Sequence, residues 1–435
     1  MGQGSQPNRH YKNTYGFDQS RDWELGKPER YGQNPEKQQA LSLAIRHATR
    51  YQDWQWPDRP IIFLSDPHAD AEAFIASLES SGSIRKTGKN QDYKLTGAGR
   101  KASIIIGGDC LDKGPSNLKL LRGIRTLASR GAHVRILAGN HDMRLLTGLH
   151  ALNGRNKTGD EHFFLRMTPK AIPLLREVHE EYIKGRGGLK RVPSARECRR
   201  QLFPSDKWFD EFPDYSSGML SQSAIDKELR RMEKKAEHFE KSCDDAGLCL
   251  RRIYASADKC RELFLGKEGE FAWFFRHMEL AHREGSFLFV HAGLDDQVAR
   301  LIRDRGIRHL NKEFRKRSRS ELSDFYYGPL ANTMRTKYRE HDRPLTDTGV
   351  DHMHQQGIHA IVHGHRNRLS GQRLMLRQGM LHIECDITLD RHSREKEGLE
   401  GVGAGVTIIH PKGKVIGISN DYPYAKVFEP HSHLP

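Results

Sequence analysis

Five short apolar runs constrain this chain most, because each ends on a side chain that can bind a metal or move a proton. They are "IIFLS" (61–65), "SIIIGG" (103–108), "HVRILAG" (133–139), "FLFVHAG" (287–293) and "HAIVHGH" (359–365). Short β-branched runs closed by polar turns read as strands. Between the first three lie "AEAFIASLES" and "SNLKLLRGIRTLAS", whose apolar residues recur at helical spacing, as they do in "PEKQQALSLAIRHATRY" (35–51). Strands alternating with helices predict an α/β fold. In such sheets ligand groups gather at the carboxyl ends of the strands.

The groups at those ends are Asp66 and His68, then Asp109 and Asp112, then Asn140 and His141, then His291, and last His363 and His365. Imidazole nitrogens mixed with carboxylate and amide oxygens suit zinc, manganese or iron(II) rather than calcium. The set exceeds what one ion requires and fits two ions sharing a carboxylate. Each residue alone has a plainer explanation: an Asp after a strand caps a turn or a helix, and a lone His is commonly a satisfied core residue. Five strand ends supplying ligands together make the metal reading the better one.

At 435 residues, the chain fits one large α/β domain with insertions, or two domains. We expect a polar arm (1–33), a core in two parts (34–150 and 284–425), a charged, mainly helical insertion between them (151–283), and a short tail (426–435). The insertion carries "SAIDKELRRMEKKAEHFEKSCDD", "GEFAWFFRHMELAHREG" and a basic tract (184–200), and a second basic tract covers 303–320. Both tracts read as solvated helix faces, with little of the aromatic interleaving that single-stranded nucleic acid favours. "FAWFFRHMEL" is expected to pack the insertion on the core. Whether the insertion forms a separate cap is open at this level.

Lys and Arg total 71 against 56 acidic residues, giving a net charge of +15 that favours anionic ligands. Six scattered cysteines without a CxxC pair argue against a disulfide framework. The polar N-terminus has no secretory apolar core, Gln6 spoils a myristoylation pattern, and no apolar run approaches membrane-spanning length. The expectation is a cytoplasmic protein with no membrane partner.

The order D-x-H, GDxxDxG, GNHD, HAG, HGH resembles the calcineurin-like metallophosphoesterase superfamily. "GGDCLDKGP", "AGNHDMRLL" and "FVHAGL" are similar to its branch of phosphoprotein phosphatases and symmetrical diadenosine tetraphosphatases. The resemblance implies a four-layer αββα sandwich and two divalent ions (Mn, Fe or Zn). Asp66, His68 and Asp109 would hold the first, with His365 as a fourth ligand. Asp109, Asn140, His291 and His363 would hold the second. His141 would be the general acid, oriented by Asp112, while a metal-bridging hydroxide attacks in line. Lys113, Arg144 and Arg366, with Arg368 beside it, would grip the substrate phosphate. "LHIECDITLD" and "GAGVTIIHPKGKVIGIS" resemble the closing strands, with Asp386 near a usual Asp.

The implied substrate is a phosphorylated anion: a phosphoprotein, another phosphomonoester or a nucleotide polyphosphate. A metal-dependent nuclease or phosphodiesterase is the alternative, with nucleic acid a less favoured partner, and a non-catalytic binding protein is a third reading. Two departures stand out. Ala69 replaces the Gly that commonly follows D-x-H, and Lys113 stands where the phosphatase branch has Arg, losing the bidentate fork. The interval between Asn140 and His291 is also far longer than that branch has.

Overall fold

The computed structural model describes residues 20–23, 25–26, 37–87, 92–152, 159–185, 189–367 and 371–434. Along the chain its strands are β1 (Ser20–Asp22), β2 (Ile61–Leu64), β3 (Ile84–Lys86), β4 (Tyr93–Leu95) and β5 (Ser103–Ile106). Next come β6 (His133–Leu137), β7 (Met278–Glu279), β8 (Ala281–Glu284), β9 (Phe287–Val290) and β10 (Ala360–His363). The series closes with β11 (Arg373–Arg377), β12 (Met380–Glu384), β13 (Gly405–His410), β14 (Lys414–Ser419) and β15 (Ala425–Phe428).

The larger sheet has the order β1-β15-β14-β13-β2-β5-β6-β7, the smaller β11-β12-β10-β9-β8, and β3 pairs with β4 as a hairpin. The five expected strands form the parallel centres of the two sheets: β2, β5 and β6 in one, β9 and β10 in the other. Ile62 lies beside Ile104 and Ile104 beside Val134, so these three strands end nearly level.

Alternation along the strands builds the layers. Ile61, Phe63, Ile105 and Leu137 of the larger sheet share one buried cluster with Phe287, Phe289, Ala360 and Val362 of the smaller. The rings of Phe63 and Phe289 lie 5.8 Å apart between the sheets. The alternate residues Ile62, Leu64, Ile104, Leu288, Val290 and Ile361 belong to a second cluster that includes the surrounding helices. Sheets stacked face to face with helices outside are the expected αββα sandwich. Each fully buried Ile, Leu or Phe contributes about 1.5–3 kcal/mol by leaving water.

Local signals set the helices that follow the strands. Asp70 caps Ala71–Ser80 by accepting from the backbone N–H of Glu72 and Ala73. Ser116 caps Asn117–Ser129 in the same way, accepting from Lys119.

The described residues between 163 and 276 are mainly helical, the longest helix there being Gln222–Asp245. Phe164, Trp208, Phe239, Phe271, Phe274 and Phe275 pack in the same cluster as Leu145 and Leu149 of the core helix Asn140–Ala151. "FAWFFRHMEL" therefore packs as expected.

Three boundaries differ from expectation. Ser20–Asp22, read as irregular arm, pairs in parallel with β15, a register that a sequence with no local alternation does not announce. The segment 278–284, read as the end of the insertion, is strand: β7 closes the edge of the larger sheet and β8 pairs with β9. The tail contributes β15 and the turn Pro430–His433. Apart from residues 23 and 25–26, the remainder of the arm, and Arg368, lie outside the described residues. Among the described residues no helix is long and apolar enough to cross a membrane.

Candidate metal centre and active site

The carboxyl ends of β2, β5, β6, β9 and β10 converge, and the backbone there turns sharply. Asp66, His68, Ala69, Asp109, Asp112, Lys113 and His365 all have φ between 38° and 68°, the left-handed region that side chains avoid. Such strain gathers at functional sites. Close approach is enforced by glycine: a Cβ on Gly139 would sit 2.0 Å from the Asp109 backbone nitrogen, and one on Gly364 1.9 Å from a carboxylate oxygen of Asp66.

Among the described residues two donor groups form, with Asp109 in both: His68, Asp109 and His141 in one, Asp109, His291 and His365 in the other. Asp109 Oδ2 lies 3.8 Å from His68 Nε2 and 3.5 Å from His291 Nε2. Asp66 Oδ1 is 4.0 Å from each of the same two nitrogens. Asn140 Oδ1 lies 3.3 Å from His291 Nε2.

The imidazoles are oriented from behind. His68 Nδ1 lies 3.1 Å from the Leu111 carbonyl, and His291 Nδ1 lies 2.7 Å from that of Gly107. With Nδ1 the donor in each, Nε2 is left as a lone-pair ligand facing the carboxylates. Asp66 Oδ1 and His365 Nε2 are buried without any hydrogen bond. Buried polar atoms ordinarily find partners. Orphaned donor atoms converging with oriented imidazoles fit divalent cations.

Electrostatics agree. Burial raises the Asp66 carboxyl to about 6 and lowers the His68 imidazole to about 3. Burial would also lower His291, but Asp109 and Asp66 outweigh it and hold that ring up at about 10. A proton on His291 therefore stands where a cation would serve the same carboxylates.

Two placements depart from the expected division. His365, expected with Asp66 and His68, shares a group with Asp109 and His291, although its backbone N–H donates to Asp66 Oδ2 at 3.0 Å. His363 is buried but outside both groups, its Nε2 lying 3.2 Å from His382 Nδ1.

His141 Nδ1 lies 2.8 Å from Asp112 Oδ2, and its backbone N–H donates to Asp109 Oδ1 at 2.8 Å. The helix after β6 begins at Asn140, with Gly139 as N-cap. Asp142 therefore occupies the third helical position. It accepts from the backbone N–H of Gly139 through one oxygen and from those of Cys110 and Leu111 through the other, tying two ligand loops together.

Cations surround this centre. Lys113 Nζ lies 2.8 Å from His68 Nε2, and Lys170 Nζ 3.5 Å from His141 Nε2. Arg144 carries a buried nitrogen with no hydrogen bond, and it only partly offsets the burial that raises the Asp112 carboxyl. Arg366 is engaged by Glu384 at 3.3 Å, as is Arg377 at 2.6 Å. Asp386 is buried, and Lys113 acts to lower its carboxyl against its burial. Lys170 escaped the sequence reading. It lies in "TPKAI" on the inserted segment, with no ligand pattern around it, and only the fold brings it to His141.

Residues 59–227 match the calcineurin-like phosphoesterase family. The match takes in the first three ligand-bearing strand ends of this chain and runs into the inserted helices. Over 75 residues the chain is 37% identical to the symmetrical bis(5'-nucleosyl)-tetraphosphatase of Photorhabdus laumondii. That similarity covers 17% of this chain and 26% of the relative, so it spans about a quarter of the relative's length. Among solved structures, a cold-active protein-tyrosine phosphatase of a psychrophilic Shewanella is 14% identical, with 94% of this chain and 91% of that one covered at a TM-score of 0.44. A protein serine/threonine phosphatase from Saccharomyces cerevisiae is 12% identical, with 90% of each chain covered at a TM-score of 0.34.

Proposed function

We propose that this chain is a calcineurin-like phosphoesterase, a two-metal phosphohydrolase acting on a phosphomonoester or a nucleotide polyphosphate. The observation that carries the reading is Asp109: one carboxylate shared by two oriented donor groups, with the His141–Asp112 pair beside it. Asp66, His68, Asp109, Asn140, His291 and His365 would hold the ions, with His363 behind them, and manganese, iron or zinc suits these donors. Bound there, two cations supply a water nucleophile at neutral pH and neutralise phosphoryl oxygens.

The remaining work falls to the chain. Lys113, Arg144 and Lys170 attract the phosphate and turn the scissile bond toward His141 Nε2. Burial pushes the His141 imidazole well down and the Asp112 carboxyl up to about 7, so the resting pair favours a single shared proton. A phosphate dianion arriving beside Nε2 favours the imidazolium, and Asp112 holds that ring by Nδ1. Nε2 then gives its proton to the departing oxygen.

The test is turnover by the metal-loaded chain of p-nitrophenyl phosphate, a phosphopeptide, diadenosine tetraphosphate and single-stranded DNA. Hydrolysis of the first three classes without DNA cleavage is expected. Cleavage of DNA alone contradicts the reading.

A further inference from the structure

A second concentration of charge lies on the inserted helices. A cavity of about 430 Å³ runs along Gln222–Asp245, lined on one side by Thr168 and Pro169. Its helix side presents Lys227, Arg230, Lys234, Lys235 and His238, with Ser242 at the far end. These positions recur at three and four residues, so they form one stripe on one helix face. From Lys227 to His238 the stripe is about 17 Å long at 1.5 Å of rise per residue.

No residue lining the cavity is acidic. The nearby buried Glu228 is engaged by Arg166 and Arg231. Burial, with Arg144, Arg166 and Arg231 around it, pushes the Lys235 amine down to about 8. A hollow lined by like charges lacks an anion that would relieve their repulsion.

Two observations join the cavity to the metal centre. Thr168 and Pro169 precede Lys170, whose Nζ reaches His141. Arg144 acts on Lys235 on one side and on Asp112 on the other, and it has a nitrogen with no hydrogen bond. Cations thus continue from the stripe through Arg144 and Lys170 to the proposed general acid.

The lining also narrows the ligand. Of its two aromatic rings, Phe239 is buried and the small His238 imidazole is tied to the Lys234 carbonyl at 2.6 Å, so there is no broad platform on which a base would stack. No strand lines it, so an extended peptide finds no backbone ladder there. What remains is a linear array of positive charge.

We propose that this cavity holds the distal part of a linear phosphate chain whose terminal phosphoryl group sits at His141. The proposal rests on the phosphohydrolase reading and names its substrate class: inorganic polyphosphate, or the phosphate chain of a nucleoside polyphosphate. Water and a chain of phosphates give inorganic phosphate and a chain one unit shorter. The terminal bridging P–O bond breaks, a P–O bond to the water oxygen forms, and a proton passes to the leaving oxygen.

The test compares the manganese-loaded full chain with a Lys227→Ala/Arg230→Ala/Lys234→Ala variant. Both are assayed on a short inorganic polyphosphate, adenosine tetraphosphate, an acidic phosphopeptide and p-nitrophenyl phosphate. Each kcat/KM is expressed relative to that for p-nitrophenyl phosphate. The ratio for a phosphate chain is expected to fall at least about tenfold, a change of about 1.4 kcal/mol. A fall with polyphosphate or with the nucleotide identifies the source. A control variant, Arg305→Ala/Arg308→Ala/Lys312→Ala, removes equal charge from another helix and should keep the ratio. Unchanged ratios, or a fall confined to the phosphopeptide, overturn the proposal. If the unmodified chain hydrolyses nothing, the phosphohydrolase reading fails separately. Calorimetric titration with polyphosphate then decides the cavity: binding weakened tenfold in the variant supports it, and equal binding overturns it.

Discussion

The His141 ring is held at both ends: Nδ1 lies 2.8 Å from Asp112 Oδ2, while Nε2 lies 3.9 Å from Asp109 Oδ2. One residue thus links the shared carboxylate of the metal site to a second, buried carboxylate. If Asp112 fixes the ring, Asp112→Asn should lower kcat by about 10–100-fold, a part of what general acid catalysis contributes. Metal content should not change. Loss of metal in this variant would show instead that Asp112 supports the ligand loops.

Lys170 is the inserted segment's direct contact with the site. Burial lowers its ammonium, as do Arg144 and Lys113, so an anion between these cations is favoured. Lys170→Ala should raise KM for p-nitrophenyl phosphate by about tenfold, the weight of one charge-assisted contact. Steady-state kinetics check this, and an unchanged KM would place Lys170 outside the substrate site.

Ala69 adopts φ 54°, so the Gly that the resemblance implies at this position fits the turn better. Ala69→Gly should stabilise the fold by about 0.5–1 kcal/mol, relief of left-handed strain outweighing the entropy of the unfolded glycine. The denaturation midpoint measures this. A lower midpoint would mean that the buried Ala69 methyl contributes more than its strain costs.

His282 on β8 bonds to two acids, with Nδ1 3.3 Å from Glu279 and Nε2 3.0 Å from Glu284. Burial alone would lower the imidazole, but Glu279 and Glu284 outweigh it and leave it raised. Both carboxylates are lowered in turn. A raised His stabilises fully below its ordinary value of 6.5 and loses that effect as pH climbs through the raised value. The lowered acids stabilise above their ordinary value of 4.5 and lose it as pH falls. The triad should therefore contribute most between these limits, and His282→Gln should flatten thermal stability across that window. An unchanged pH profile would contradict this.

The five strand ends were legible because each motif is local: a few residues contain both the turn and its ligands. The interior strands were legible for the same reason, Ile61–Leu64 being apolar throughout. Ser20–Asp22 was not, since its partner is Ala425–Val427 at the other end of the chain. Lys170 and the stripe from Lys227 are likewise set by tertiary packing. On paper, "KELRRMEKKAEH" is a solvated helix; only Thr168 and Pro169 opposite make its charged face a cavity. The bonds that Asp142 accepts from the backbone N–H groups of Cys110 and Leu111 are set by tertiary packing as well.

The central claim is the division of labour between ligands and proton donor, and His141→Ala tests it most directly. Metal content is measured by elemental analysis, and kcat on an alkyl phosphate is compared with that on p-nitrophenyl phosphate. The account predicts retained metal and a loss of about 10²–10⁴ on the alkyl ester, whose poor leaving group needs the proton. The loss should be markedly smaller on p-nitrophenyl phosphate. Departure of the metals with the imidazole, or an equal loss on both esters, would contradict it.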